Sequence, residues 1–491
     1  MRLTATDFLE YYRPSKCPVR VFLRQRGVQE SPPGPYEQVI ERLGREHERR
    51  HLATFPEVQD FSGGELYERA HQTEQAVADG APVIYQGVLR AEALLGGTGC
   101  EVVGRPDFLI RGDAGSYVVR DSKMSRRING KDHAEILLQL GLYGWLHEQA
   151  LGQPPCGLEV HSGTGEIVVL DYEGGAAALA ELEVILAIKQ ASAELSSPVG
   201  WSKCNGCGYF ERCWPVAVKR RDVALVQGVD QGLAMALRTE GIETYDELLG
   251  SFSEERLAVF KRPWGQSLRK VGKSAGGILR NAQALASGEE IVIQPPEIQD
   301  SPNYVMFDLE GLPPQLEDPG KIYLWGMQVY GESPGEFTAA VAGFGEDGDR
   351  QGWEDFLSKA GHILDEYGDV PFVHWHSYEK THLNLYVDRY GDPDGVAVRV
   401  RGNLLDLLPV TKAAVALPLP STSLKVVEQY IGFERSQEQY GGDWAMAKFI
   451  EATEMVDGDR RAKLMGEILK YNKEDLAATW AVLQWLKSKA R

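Results

Sequence analysis

From Gly104 to Arg127 the chain alternates apolar runs with turn residues. Phe108-Leu109-Ile110 precedes Gly112-Asp113-Ala114-Gly115, and Tyr117-Val118-Val119 follows. That pattern predicts a hairpin of two short strands, within a strand-bearing stretch over 83–122. Ahead of it, residues 1–30 read as a helix, then Cys17-Pro18, then a second short helix closed by Ser31-Pro-Pro-Gly-Pro35. Residues 36–80 read as charged helix. His133 to Glu148 is apolar at helical spacing, which predicts a helix over 132–150. A further hairpin over 158–171 and an alanine-rich helix over 175–195 follow. Two helical segments over 222–250 join through Gly241-Ile242, and Pro295-Pro296 and Pro302 mark a linker. Three strand-like runs then begin at Asn303. A helix near 351–367, a strand at 371–375, a helix from Tyr378 and a helix carrying Tyr471 complete the pattern. The expected architecture is mixed α/β in three parts: 1–220, a small helical domain over 221–295, and 296–491.

Length and composition agree with this division. A chain of 491 residues, 43% hydrophobic and 25% charged, suits two or three globular domains. No apolar run approaches the roughly 18 residues of a membrane span. The start, MRLTATDFLEYYRPSKCP, lacks the apolar core of a signal peptide. No membrane association and a cytoplasmic location are therefore expected. The net charge of −19 argues against a nucleic-acid partner unless a local basic patch offsets it. One run does so: Arg256 to Arg280 holds seven Lys/Arg and no acid. Lys261, Arg262, Arg269, Lys270 and Lys273 within it are the candidate phosphate contacts; the plain alternative is a solvated helix face.

The candidate chemistry lies at strand ends and in one cysteine loop. Asp107 precedes the first strand of the hairpin, and Asp121 and Lys123 end the second. Two apart on a strand, Asp121 and Lys123 share a face. Two carboxylates and a lysine there can hold a divalent cation beside a water, with the lysine steadying the developing charge; ordinary surface charges are the alternative. Gln139 and Tyr143, four apart, share one face of the following helix. Upstream, Glu46-His47-Glu48 offers a histidine or a glutamate. Cys204, Cys207 and Cys213 form C-x2-C-x5-C, a ligand pattern for a metal centre in a reducing compartment. A fourth ligand is missing locally, and Cys17 is the candidate. Four thiolates fit either a [4Fe–4S] cluster or Zn²⁺. Cys100 and Cys156 read as buried hydrophobes. In the last third, Asp308 and Glu310 share a strand face, and Tyr471 and Asp475 lie one helical turn apart.

These motifs resemble known families. Gly-Arg-Pro-Asp107-Phe, Asp121-Ser-Lys123 and Gln139-Leu-Gly-Leu-Tyr143, with His47 upstream, resemble the RecB-type PD-(D/E)XK nucleases, in particular their CRISPR-associated iron–sulfur branch. The resemblance implies a restriction-endonuclease-like fold, with His47, Asp107 and Asp121 on the metal and Lys123 serving the attacking water. Gln139 and Tyr143 would support that site. It also implies a [4Fe–4S] cluster on Cys17, Cys204, Cys207 and Cys213, which favours the cluster over zinc. Asp308-x-Glu310 and Tyr471-x3-Asp475 resemble the first and third motifs of the ribonuclease-H-like DEDD exonucleases, which implies Mg²⁺ or Mn²⁺ on Asp308, Glu310 and Asp475 with Tyr471 orienting the water. The second motif departs from that family. Phe372-Val-His374-Trp-His376-Ser-Tyr378-Glu379 has Glu379 for the usual aspartate and His376 for the usual asparagine, and Asp406 is a rival acid. Gly228-Val229 and Gly241-Ile242 resemble helix-hairpin-helix turns. The combination resembles a bacterial family of RecB-like nucleases. The expectation is a metal-dependent nuclease with two sites, acting on DNA in preference to RNA. The alternative is a nucleic-acid-binding scaffold in which one or both sites are inactive and the cluster is structural.

Overall fold

The computed structural model describes the whole chain except residues 113–114, 194, 196–198, 266, 314–319, 344, 438–440 and 491. It divides into two compact units. One comprises Met1–Pro33, Glu37–Val199 and Lys203–Pro215; the other comprises Gly34–Tyr36, Gly200–Ser202 and Val216–Arg491. Both are mixed α/β, and no described helix is long and apolar enough to cross a membrane.

The first unit is built on a six-stranded sheet, in the order Gln59–Asp60, Val83–Tyr85, Phe108–Arg111, Tyr117–Ser122, Gly157–His161 and Ile167–Leu170. The expected hairpin is its centre: Phe108–Arg111 pairs antiparallel with Tyr117–Ser122, Leu109 opposite Val119. Asp113 and Ala114 of its turn lie outside the described residues. Gly157–His161 then pairs parallel to Tyr117–Ser122, which requires a crossover. The helix Ala134–Leu151 supplies it and ends on Gly152 in the left-handed conformation, φ 72°. Its Leu140, Leu142, Tyr143 and Leu146 enter one core with Leu109, Val119 and Val160 of the sheet. The chain start departs from the all-helical expectation. Arg2–Thr4 is a strand parallel to Thr98–Gly104, a long-range pairing that local pattern does not encode; helices Thr6–Tyr12 and Pro18–Gln25 follow. Cys156 also departs: it is exposed, not buried, because it sits at the sheet end just ahead of Gly157–His161.

The second unit is built on a five-stranded sheet, in the order Thr338–Val341, Lys321–Gly331, Asn303–Leu312, Phe372–His374 and Leu404–Asp406. The first three are antiparallel; Phe372–His374 and Leu404–Asp406 add in parallel. Near-continuous burial along Asn303–Leu312 follows from helices on both faces. Trp325, Trp353, Phe356, Phe372 and Tyr386 fill one side. Tyr304, Met306, Leu476, Val482 and Leu486 fill the other, where the helix Gly458–Lys489 lies.

The segment 221–295 belongs to this same unit. Its helices Gln231–Thr239, Tyr245–Ser251 and Glu254–Val259 are each capped by a side chain: Asp230, Thr244 in a capping box with Glu247, and Ser253. Ile291–Val292 pairs with Val415–Ala416, so the proline-marked linker begins beyond a strand already joined to the C-terminal part. The basic run is not one helix face: Arg256 and Arg280 lie on separate helices and Lys273 in a 3-10 turn, while the middle is extended. Lys261–Trp264 and Ser267–Lys270 form an antiparallel hairpin, since Pro263 interrupts a helix and Gly265 turns at φ 58°.

Two glycines of the second unit respond oppositely to alanine. A Cβ on Gly326, which pairs with Asp308 across the sheet, would lie 1.8 Å from Asn472 Oδ1. Gly466, in the long helix, meets nothing within 4 Å. Gly326→Ala should destabilise by about 1–3 kcal/mol through overpacking. Gly466→Ala should stabilise by about 0.5–1 kcal/mol through helix propensity. Denaturant melts of the two variants check both signs.

Candidate active sites

In the first unit the carboxylates interlock through their backbones. Asp107 N–H donates to Asp121 Oδ1 at 3.0 Å, and Ser122 N–H donates to Asp107 Oδ2 at 2.8 Å. Lys123 Nζ lies 2.7 Å from Asp121 Oδ2. Gln86 Nε2 donates at 2.8 Å both to Asp107 Oδ1 and to Glu48 Oε1, and Tyr85 OH donates to Glu48 Oε1 at 2.7 Å. Burial pushes Asp107 well above the usual carboxylate range, and the Asp121 charge pushes the same way. Burial opposes the Lys123 charge, but Asp121 and Asp107 outweigh it and hold the ammonium above its ordinary value. Gln139 Nε2 donates to Tyr143 OH at 2.8 Å. The Tyr143 phenol is pushed up by burial and then by Asp121, so this pair faces the acids.

His47 does not join them. It stacks on His161 with centroids 4.2 Å apart, and His161 stacks in turn on His51 at 3.9 Å. Burial pulls His51 and His161 down to about 4, so near neutrality both are uncharged. Roughly 100° of helical rotation separates neighbours, so on the helix Pro35–Leu52 it is Glu48 that turns toward Asp107. Glu46 pairs with Arg42 at the surface. Of Glu46-His47-Glu48, the helix phase brings Glu48 to Asp107 through Gln86. Gln86, which links Glu48 to Asp107, carried no motif.

In the second unit Asp308 and Glu310 project from the central strand and Asp475 from the long helix. One ligand atom from each lies within 4.8 Å of the others, a geometry able to hold a metal ion. Burial pushes Asp308, Glu310 and Asp475 above their ordinary values. Mutual repulsion adds for Asp308 and Glu310, whereas Arg435 opposes the rise at Asp475. Asn472 Nδ2 donates to Asp308 Oδ2 at 2.7 Å. Arg435 donates from Nη2 to Asp475 Oδ1 at 2.5 Å, and from Nε and Nη2 to Glu428 at 2.5 and 2.6 Å. The guanidinium also lies 5.7 Å from the Tyr471 ring. Burial, and then the charge of Asp475, raise the Tyr471 phenol well above its ordinary value.

Glu379 stays outside the trio. It is buried, but its Oε2 lies 3.0 Å from His374 Nδ1, although its charge is felt by both Asp308 and Glu310. Asp406 is engaged elsewhere: Oδ1 accepts from His376 N–H at 2.9 Å and from Leu408 N–H at 3.0 Å, capping the helix Leu407–Ala414. Glu379 is therefore the acid nearer the trio, held one step back by His374. Arg435, Glu428 and Asn472 were missed in the sequence. Asn472 had a usable signal, one residue after Tyr471; Arg435 and Glu428 had none, since charged residues are common.

Comparisons with known proteins match this division. Residues 19–214 match a family model of the PD-(D/E)XK nuclease superfamily, and residues 305–487 match one of the RNase H superfamily. The chain carries two nuclease-superfamily domains. No curated protein matches it. A solved structure titled "Crystal structure of SSO0001" is similar at 20% identity over 43% of this chain and 85% of that one, with a TM-score of 0.22.

Crowding in the RNase H-superfamily domain gives a signed pH dependence. The folded-state value of Asp308 lies above its unfolded one, so its contribution to stability is full below the unfolded value near 3.9. It is lost as pH rises through the folded value. Asp308→Asn keeps an acceptor for Asn472 and removes the charge. In chelator, its melting temperature should match the parent near pH 4 and exceed it by about 2–4 °C at pH 8, corresponding to about 1 kcal/mol. A parent–variant gap that does not change with pH contradicts the electrostatic account.

Proposed function

We propose that the chain is a divalent-metal-dependent nuclease that hydrolyses DNA phosphodiesters, with one site in each unit. The carrying observation is the convergence of Asp308, Glu310 and Asp475 from the two ends of one domain. Acids raised by burial, and at Asp308 and Glu310 by their neighbours' charge as well, suit Mg²⁺ or Mn²⁺ chemically, because a cation at hand favours their ionised form. A divalent cation supplies charge stabilisation and an acidified water. The chain's own residues do the rest. Asp308, Glu310 and Asp475 hold the ion, and Asn472 fixes the Asp308 carboxylate by its 2.7 Å hydrogen bond. Tyr471, one turn before Asp475, orients the water. Arg435 pairs with Asp475 and with Glu428, and so offsets the charge of the carboxylate that would hold a cation. In the first unit Asp107 and Asp121 hold the ion, with Glu48 reaching the same group through Gln86. Lys123 orients the water, while Gln139 and Tyr143 wall the site. The bond between Glu379 and His374 favours a second reading for the C-terminal site alone: it binds nucleic acid without cutting.

The four thiols are proposed to hold a [4Fe–4S] cluster. Cys17, Cys207 and Cys213 pack on one apolar group with Val19, Phe22, Leu23 and Tyr209. Burial pushes Cys213 up to about 12, and Cys17, Cys207 and Cys204 add to it, so all four are neighbours. None forms a disulfide. Four neighbouring thiols with no nitrogen or oxygen partner in their motif suit a cluster as they suit zinc, and the iron and sulfide content decides between them.

Two experiments test these readings. With the second site disabled by Asp308→Asn, Lys123→Ala should lower Mg²⁺- or Mn²⁺-dependent release of labelled DNA fragments by about 100-fold or more. Binding in chelator should stay within about twofold; undiminished cutting removes the first site, and the converse pairing tests the second. Anaerobically purified protein should be brown, with about four iron and four sulfide per chain. Cys17→Ser should lose the colour and melt earlier; one zinc and no visible absorbance would replace the cluster by a zinc site.

A further inference from the structure

The basic hairpin Lys261–Trp264/Ser267–Lys270 has a shape its charge alone did not foretell. Register places Lys261 opposite Lys270 and Arg262 opposite Arg269. Like charges directly opposite destabilise a two-stranded ribbon, so folding does not account for the arrangement. Among the described residues one of the four cations meets an acid, Arg262 with Asp230 at 2.8 Å. Alternation puts Arg262, Trp264 and Arg269 on one face. There the guanidinium carbons lie 4.5 and 5.0 Å from the Trp264 ring centroid. Trp264 is nevertheless 46% exposed. On the other face Lys261, Pro263 and Leu268 border a groove of about 700 Å³ with Met235, Phe252 and Val259. Leu268, Met235 and Val259 are all exposed.

The ribbon is a fixed platform. A Cβ on Gly232 would lie 2.3 Å from the Pro263 carbonyl oxygen, so the helix Gln231–Thr239 holds the ribbon backbone at close range. Val271 N–H closes its base on the Phe260 carbonyl at 3.0 Å.

We infer that this ribbon binds unpaired nucleotides, with bases stacking on Trp264 and in the apolar groove and phosphates on Lys261, Arg269 and Lys270. Cations alone would serve duplex and single strand alike. Exposed aromatic and apolar surface rimmed by cations serves the partner that has free base faces, and a duplex hides its base faces in its own stack. The inference rests on the nuclease reading for the presence of nucleic acid, and it narrows the substrate to single strands or duplexes with unpaired ends.

The test uses the full chain in chelator, where binding is read without cutting. A labelled oligothymidylate, a blunt duplex of equal length and the same duplex with a single-stranded tail are compared by anisotropy. The parent should prefer the first and the tailed duplex over the blunt one. Trp264→Ala should weaken single-strand binding about tenfold and leave the blunt duplex unchanged, and Trp264→Phe should restore most of it. Lys261→Gln with Lys270→Gln should weaken all three ligands and lower the single-strand salt slope by about 0.7 for each phosphate no longer neutralised. Trp264→Ala that binds every ligand as the parent does, or weakens all equally, overturns the inference. So does a parent that prefers the blunt duplex, or one whose ribbon takes up only an acidic protein. The nuclease reading falls or stands separately, on metal-dependent cleavage by the parent.

Discussion

Buried like charge is the constraint around which the second unit is arranged. Three carboxylates meet at Asp308, Glu310 and Asp475, and each is made harder to ionise by its burial. The surrounding residues answer that repulsion. Arg435 is inserted against Asp475, and Glu428 holds its other edge. Asn472 gives Asp308 a donor and needs a residue without a side chain across the sheet, which Gly326 supplies. A cation bound among them would relieve the same repulsion and add to the stability of the folded state.

The first unit meets a related problem with different parts. Asp107 and Asp121 are satisfied by backbone amides of their own hairpin, and an internal cation, Lys123, sits against them. The charge of this site is thus balanced by a residue that also serves the proposed chemistry. In the second unit the balancing arginine comes from a separate segment and carries no part of either motif. The acids of the second site are also farther apart in sequence, 167 positions from Asp308 to Asp475, because the first strand of its sheet and the last helix carry them.

In a chain of net charge −19, one stretch is locally basic. The hairpin at 261–270 sets lysine against lysine and arginine against arginine, and an exposed tryptophan lies among them. A solvated helix face would have spread the same residues around a cylinder. The proline and glycine at 263 and 265 turn them instead into a two-faced ribbon, each face with its own apolar surface.

Much of this was legible in one dimension. Periodicity located the hairpin at 108–122, the crossover helix after it, and the strand–helix order beyond Asn303, because alternation and helical spacing are local properties. Motif spacing located Asp107, Asp121, Lys123, Asp308, Glu310 and Asp475, since a strand end or a helix turn puts residues at fixed offsets on one face. Tertiary structure decided what spacing leaves open. The phase of the helix Pro35–Leu52 chose Glu48 over His47. A bond to His374 drew Glu379 back from the trio, and a helix cap occupied Asp406. Parallel pairing with Thr98–Gly104 made Arg2–Thr4 a strand. Arg435 and Glu428 entered the site from a segment with no pattern of its own. Each of these depends on which distant groups compete for the same side chain, and sequence proximity does not record that competition.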